Sequence, residues 1–290
     1  MEFIRVRCLR SYPLPLYLNL RANIALNSIA DIPTLLDRCA TIHIHSPEQW
    51  RAVEGRLPHL NRLVLSCRLP NGNWKEIPTL RSLKVERAGG IGDLWTVPLL
   101  ENIVQLEATY SWKFRNYMQK APTFAPRVQV LRLNMVELSR ARKFTEDYYS
   151  RHIPPYAVQE RTFNQLTHLV LRYTNISPIK HPLPFVGVPC LVHLEILLRD
   201  LRNINGLLAF DYPTVTKLTV TMFGNLFPAV TGLTEEPADI QSLLDLMKRL
   251  PNLSTADLTV TSVIMASLCA DLGRNPTLYP PLSIIWHCLL

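Results

Sequence analysis

The chain lacks the features of a secreted, disulfide-bonded or membrane-spanning protein. Its six cysteines are scattered over 290 residues without a C-x-x-C pair, which favours reduced thiols in the cytosol or nucleus. Cys39, Cys67 and Cys190 lie in or beside apolar triplets, and we expect them in the core. Three arginines interrupt the first ten residues, so no signal peptide is predicted. The most apolar window, residues 183–198, contains a histidine and a glutamate, which excludes a transmembrane helix there.

Sequence motifs of catalysis are also missing. The chain has no G-x-S-x-G, no H-E-x-x-H and no carboxylate pair at a motif spacing. Residues 89–93 (GGIGD) lack the Gly-Lys-Ser/Thr ending of a phosphate-binding loop and are predicted to form a turn. His43 and His45 have the spacing of two metal ligands on one strand face, but no third ligand accompanies them at a recognisable spacing. We therefore expect solvent-facing histidines, no enzyme activity, no cofactor and no metal.

What the chain does contain is a repeated apolar skeleton. Residues 57–67 read LPHLNRLVLSC, in which Pro58 is followed by leucines at positions 60, 63 and 65. The same skeleton follows Pro78, Pro189 and Pro213. The last two apolar residues of L-x-x-L-x-L are two apart on a strand, so both point to the same side. Because one unit cannot bury its leucines alone, the copies are expected to stack as parallel strands of a solenoid.

The first apolar site of the unit recurs at intervals of 20 to 38 residues, at Cys39, Leu60, Leu80, Ile103, Val128, Leu166, Leu191, Val215, Leu253 and Leu282. The short intervals match a leucine-rich repeat, and the long ones indicate insertions. The pattern predicts an α/β fold: one irregular leucine-rich-repeat solenoid of about ten units over residues 1–290. Its parallel strands should line the concave face, with short helices and loops on the convex face. The register is ambiguous at residues 98–109, where Leu100 and Ile103 both fit. The register is also open near residues 276–290, because in the last copy, Pro280–His287, His287 falls on a site that should be apolar.

Other elements are predicted from local patterns. Leucines at positions 14, 16, 18 and 20 alternate with other residues, which indicates a strand with one buried face. A strand at residues 41–45 should bury Ile42 and Ile44. Helices are predicted over residues 31–38, 239–250 and 261–272; Thr261 or Ser262 would cap the last of these, and Gly273 would end it.

Residues between the leucines should face outward on the concave side, where solenoids bind their partners. They mix positive, negative and short polar side chains, which is typical of a protein-binding surface and also of any solvated sheet face. We predict protein recognition by the following residues: Arg62, Val64, Ser66, Lys84, Glu86, Glu107, Arg132, Asn134, His168, Arg172, His193, Glu195, Lys217, Thr219 and Asp257.

A second candidate surface is the basic and aromatic stretch at residues 110–163. It carries ten basic residues against four acidic ones, which is +6 of the chain's net +8. Arginine combined with stacking aromatic rings can bind single-stranded nucleic acid. The candidate residues are Lys113, Arg115, Arg140, Arg142 and Lys143. The alternative is an inserted loop region whose aromatics pack on the solenoid while the charges stay hydrated. We favour this alternative, because these residues do not belong to a recognisable RNA- or DNA-binding module.

Three local segments of the chain are similar to segments found in one known protein family. Residues 9–18 read LRSYPLPLYL, residues 42–51 contain His45 followed by Gln49-Trp50-Arg51, and a predicted helix precedes Pro251-Asn252-Leu253. With its proline-led repeats, the chain resembles the leucine-rich-repeat region of fungal F-box proteins of the mushroom type, although here the tryptophan precedes the arginine. The resemblance implies a relative of the substrate-binding half of a ubiquitin-ligase receptor.

The same resemblance sets the expected partners. No residues ahead of Leu9 supply an F-box, so a Skp-type adaptor is expected as a partner only if an F-box lies outside this chain. The apolar ending SIIWHCLL also makes both ends look like cuts. We expect a monomer in the cytoplasm or nucleus that binds a protein and no membrane. The alternatives are nucleic-acid binding and a truncated gene product without independent function.

Overall fold

The computed structural model describes eleven stretches of the chain: residues 14–20, 33–67, 77–86, 101–110, 125–136, 162–175, 187–198, 201–208, 211–222, 237–274 and 282–288. The chain divides into two compact units, Met1–Thr109 with Thr123–Val128 and Tyr110–Pro122 with Gln129–Leu290. Within each unit the strands are arranged in chain order and pair in parallel. The predicted α/β class with a parallel sheet is therefore confirmed.

The first unit holds the first five strands and two short helices. The strands are β1 (Leu16–Leu20), β2 (Cys39–Ile44), β3 (Arg62–Leu65), β4 (Ser82–Val85) and β5 (Gln105–Tyr110). Helix α1 (Pro33–Leu36) precedes β2, and α2 (Pro47–Val53) follows it. The prediction for the first strand was only partly right, because Leu14 lies outside β1 with a side chain 64% exposed.

The second unit holds the remaining strands and the longer helices. The strands are β6 (Val130–Val136), β7 (His168–Asn175), β8 (His193–Leu198), β9 (Lys217–Met222), β10 (Thr255–Val260) and β11 (Ser283–Cys288). A 3₁₀ helix (Leu201–Leu207) follows β8, α3 (Pro237–Lys248) precedes β10, and α4 (Ser262–Arg274) follows it. Both long helices were predicted. Helix α4 runs one residue past Gly273, and its start is capped by Thr261, whose hydroxyl accepts from the Ile264 amide at 3.5 Å.

The core is built from the repeated apolar sites. Nine of the ten predicted first sites, from Cys39 to Leu253, are at most 2% exposed. The strand residues three and five positions further along are buried as well, including Leu63 and Leu65 in β3. Ile103 is completely buried and aligns its strand with β4, which settles the ambiguity with Leu100. Burial raises the pKa of the Cys39 thiol to about 12, so this cysteine is an unreactive core residue.

A recurring turn comes directly before seven of the buried first sites. The amide of Leu60 donates to the Leu57 carbonyl at 3.3 Å, and the same four-residue turn closes at Leu191 (3.0 Å) and Leu253 (3.0 Å). The repeated proline is the second residue of this turn, a position that its fixed φ angle suits. The next position is exposed, as for Cys190. Our prediction of a buried Cys190 was therefore wrong.

The last strand corrects the predicted register of the final repeat. Ile284, Trp286 and Cys288 align with the buried residues of β10, whereas Ser283, Ile285 and His287 align with its polar residues. The sequence pattern places His287 on an apolar site, and this prediction is wrong. His287 pairs with Asp257 on the polar side, at 3.3 Å between Nε2 and Oδ1.

The burial pattern predicts that alanine substitutions at two adjacent residues of β3 change the free energy of unfolding by unequal amounts. Leu63→Ala should lower the free energy of unfolding by about 2–5 kcal/mol, because it leaves a cavity in the core. Arg62→Ala, at the neighbouring exposed position, should change it by less than about 0.5 kcal/mol. Urea denaturation measures both variants. Similar losses in the two would contradict the assigned register.

Tyr212 provides a second test. Its side chain is 1% exposed, and its hydroxyl has no hydrogen-bond partner among the described residues. A buried unsatisfied hydroxyl destabilises the folded state, so Tyr212→Phe should raise the free energy of unfolding by about 1 kcal/mol. Tyr17→Phe, at an exposed tyrosine, is the matched control and should have no effect. A loss of stability in Tyr212→Phe would show that the hydroxyl is satisfied in solution.

Candidate functional site

The residues between the apolar sites share one face of the strands, which we call the polar face. Strand β8 illustrates it: Leu194, Ile196 and Leu198 are buried, and the residues between them are half-exposed. The fifteen predicted recognition residues all lie in described strands or directly after them. Val64 is an exception to the predicted exposure, since it is only 6% exposed. It stands between His43 and Lys84 in the strand register, and these longer side chains flank it.

The first unit joins five polar-face residues into one group, the His43 cluster, which consists of His43, Ser66, Lys84, Glu86 and Glu107. His43 Nε2 lies 2.6 Å from Ser66 Oγ and 3.5 Å from Glu86 Oε2. Ser66 donates a short hydrogen bond to Glu86. Lys84 Nζ lies between two carboxylates, 3.4 Å from Glu86 and 3.3 Å from Glu107. The contact of His43 with Glu86 reaches from β2 past β3 to the residue that follows β4, and the other contacts join neighbouring strands or residues two apart along the chain.

The electrostatics of this cluster favour a neutral histidine beside an ionised glutamate. Burial and the adjacent His45 lower the pKa of His43, which outweighs the opposing effect of Glu86. Burial acts to raise the pKa of Glu86, but the Ser66 hydroxyl and the Lys84 ammonium bring it below its usual value. At neutral pH the cluster is therefore an internally paired network.

The His43 cluster has the residue types of a serine-hydrolase triad without its geometry. In a triad, the serine hydroxyl gives its proton to an unprotonated imidazole nitrogen, and the carboxylate holds the other nitrogen. Here the Ser66 hydroxyl donates to Glu86, so the Ser66 oxygen is left to accept from His43 Nε2. His43 therefore cannot act as the base toward Ser66 in this arrangement.

The second unit brings together a different group, the His168 cluster, which consists of His168, His193, Glu195 and Thr219. His168 and His193 are register partners on β7 and β8, and their rings stack with centroids 4.2 Å apart at 10°. His168 Nε2 lies 3.3 Å from Glu195 Oε2, and His193 Nε2 lies 2.9 Å from Thr219 Oγ1. One ligand atom from each of His168, His193 and Glu195 lies within 4.8 Å of the other two.

Both imidazoles of the His168 cluster are neutral at neutral pH. Burial is the largest cause of the lowered pKa of His168, and it exceeds the opposing effect of Glu195. Burial, His168 and Lys217 together lower the pKa of His193 to about 4. Arg132 also disfavours a charged His168. Each ring therefore retains one unprotonated nitrogen.

Alignment of the repeats could have predicted these contacts. His168 and His193 are both the second residue after a first apolar site, whereas Lys84, Glu107, Glu195 and Thr219 are each the fourth. Equivalent positions on successive parallel strands become neighbours about 4.8 Å apart. Asp257 pairs with His287, which was not among the predicted residues. Arg62, Asn134 and Arg172 belong to neither cluster.

Two further candidate regions were predicted from the sequence. The basic loop residues Lys113, Arg115, Arg140, Arg142 and Lys143 lie outside the described residues, as do residues 89–93. A shallow depression lined by Leu208, Asp245, Arg249 and Pro251 lies beside α3. Among the helices that the structure describes, none is long and apolar enough to cross a membrane.

No protein-family model matches the chain, and no curated protein sequence is significantly similar to it.

The depressed pKa of His43 predicts a pH effect on stability. Below about pH 6.5 the unfolded state binds a proton at His43 more readily than the folded state, so folding becomes less favourable as the pH falls. Glu86, with its lowered pKa, has the same sign of effect but only below about pH 4.5.

His43→Gln should therefore flatten the loss of stability between pH 7 and pH 5. Urea denaturation at several pH values measures this slope. His59→Gln is the control, because His59 is exposed in the turn before Leu60. An equal slope in wild type and His43→Gln would show that His43 titrates normally in the folded protein.

Proposed function

We propose that the chain is a leucine-rich-repeat protein whose polar face binds another protein without catalysis. The observation that carries this proposal is the arrangement of half-exposed charges of both signs at equivalent positions of successive strands. The proposal of a leucine-rich repeat is supported by one strand per repeat, the buried L-x-x-L-x-L sites and the proline turn.

The size of the polar face suits a polypeptide better than a small molecule. Strands lie about 4.8 Å apart, so the six strands of the second unit present side chains over roughly 24 Å. Small-molecule sites are instead concave and mostly apolar, with few polar groups. A row of mixed charges of this length gives specificity by electrostatic complementarity to a partner surface.

Several of these charges are fixed before any partner binds. Lys84 is held by two glutamates and Glu195 by His168, so the side chains of Lys84 and Glu195 lose little further freedom on binding. The exposed cations Arg62 and Lys217 stand at the corresponding position of β3 and β9, the second after the first apolar site. These two cations favour an acidic partner segment.

The sequence resemblance suggests a cellular role for such a surface. The similar region of mushroom-type F-box proteins is the substrate-binding half of a ubiquitin-ligase receptor. We propose the same class of task for the polar face, recognition of a protein substrate. A link to a cullin ligase would require an F-box outside this chain.

Charge reversal on the polar face tests the proposal. The double variant R62E/K217E should bind the partner more than about tenfold more weakly, since a lost ion contact of about 1.4 kcal/mol is a factor of ten. K248E/R274E makes the same change of net charge on α3 and α4, where the side chains are also exposed, and should bind like wild type. Cross-linked affinity capture with quantitative mass spectrometry, in nuclease-treated extract, compares the three proteins.

The outcomes separate the alternatives. A protein retained by wild type and K248E/R274E but lost from R62E/K217E supports the proposal. Identical retention by all three proteins contradicts it. The capture is repeated in untreated extract, and a set of bound proteins found only there would favour the nucleic-acid alternative.

A further inference from the structure

Two histidines and a glutamate converge on the polar face of the second unit. His168 and His193 are direct register partners on β7 and β8, and Glu195 is two residues beyond His193 on the same face. The pairing of β7 with β8 places His168 beside His193. The two-residue repeat along β8 places Glu195 on the same face as His193. The backbone of the sheet, and no loop, fixes all three positions.

The spacing of these donors suits a metal ion. Donor atoms of a tetrahedral zinc ion with bonds of about 2.0–2.1 Å lie about 3.3 Å apart. His168 Nε2 and Glu195 Oε2 are 3.3 Å apart. A nitrogen of His193 completes a set whose members all lie within 4.8 Å of one another. Two histidines and one glutamate form a known zinc-ligand set that leaves a coordination position open.

Two local adjustments bring the third ligand into place. The stacked rings of His168 and His193 are nearly parallel, so one must rotate before both can direct a nitrogen at the same ion. His193 Nε2 also exchanges its contact with Thr219 Oγ1 for the metal. The hydrogen that His168 shares with Glu195 moves to the other ring nitrogen, Nδ1, so no proton is gained or lost. These changes involve side-chain rotation and leave the strand pairing intact.

The surrounding charges decide which metals fit. Glu195 and Asp257 attract a cation, whereas Arg132 and Lys217 repel it, so the local field supplies little net attraction. Affinity must then come from coordination by imidazole. Zn²⁺, Ni²⁺ and Cu²⁺ bind imidazole strongly, whereas Mg²⁺ and Ca²⁺ prefer sets of oxygen ligands.

We propose that His168, His193 and Glu195 bind one divalent transition-metal ion, with Zn²⁺ as the biological candidate. The fourth position would face the polar side of the sheet and take water or a donor atom from a bound molecule. This site does not depend on the proposed protein recognition. Among the described residues no other set of three histidine, cysteine or acidic side chains meets the same distance condition. His43 and His45 are instead engaged with Ser66 and Asn19.

Calorimetric titration of the full chain with Zn²⁺ tests the site, with Mg²⁺ as the selectivity control. The variants H168Q, H193Q and E195Q each remove one ligand while keeping the side-chain size similar. Each should weaken the Zn²⁺ affinity by more than about tenfold, as loss of one ligand from a three-ligand set requires. H287Q removes a histidine that belongs to the same face but not to the set, and it should bind Zn²⁺ like wild type.

A second readout uses the wild-type protein alone, so that it does not depend on the folding of the variants. Substitution with Co²⁺ should give the intense visible absorption of a tetrahedral site, and Zn²⁺ should displace it. Zn²⁺ should also shift two of the eight histidine side-chain resonances in NMR spectra. Equal Zn²⁺ affinity in wild type, H168Q, H193Q and E195Q would overturn the proposal. So would Zn²⁺ binding that leaves every histidine resonance in place.

Discussion

The in-register pairing of parallel strands is the constraint on which the rest of this molecule depends. From β2 to β4, and again from β7 to β10, the buried aliphatic residues of the repeated apolar sites stand beside their equivalents in the next strand. A slip of one residue would move a whole row of leucines to the solvent side. The repeated turn opposes such a slip, because its hydrogen bond holds seven of the first sites in the same position relative to their turns. Hydrophobic burial and turn geometry therefore specify the same register.

This register also creates the two polar clusters. Once the leucines are aligned, the residues between them stand in rows about 4.8 Å apart, within reach of one another's side chains. Like charges at adjacent positions would repel, and Lys84 between Glu86 and Glu107 avoids this. In the second unit, His168 and His193 meet the same requirement by remaining neutral, so that their rings can stack. The composition of each row thus follows from the spacing of the strands.

The sequence predicts the inward residues well, because the apolar pattern that marks them can be read within each single repeat. The skeleton of Pro58, Leu60, Leu63 and Leu65 suffices to place that strand and its turn. The contacts of the polar face depend on pairs distant in sequence, such as His168 and Glu195, which are 27 residues apart. These contacts can be predicted only after repeats of unequal length have been aligned with one another. The final repeat shows the limit: an apolar Ile285 imitates a core site, although the pairing with β10 directs it to the polar side.

The two clusters differ in what a ligand could gain from them. In the His43 cluster, Lys84 and Glu86 already satisfy each other, so a partner that covered them would pay for desolvation without supplying a missing contact. The His168 cluster keeps one unprotonated nitrogen on each ring, and its nearby charges nearly cancel. A metal ion or a hydrogen-bond donor can engage those nitrogens without separating an ion pair. The second unit is therefore the part of the polar face where a ligand adds the most interaction for the least disruption.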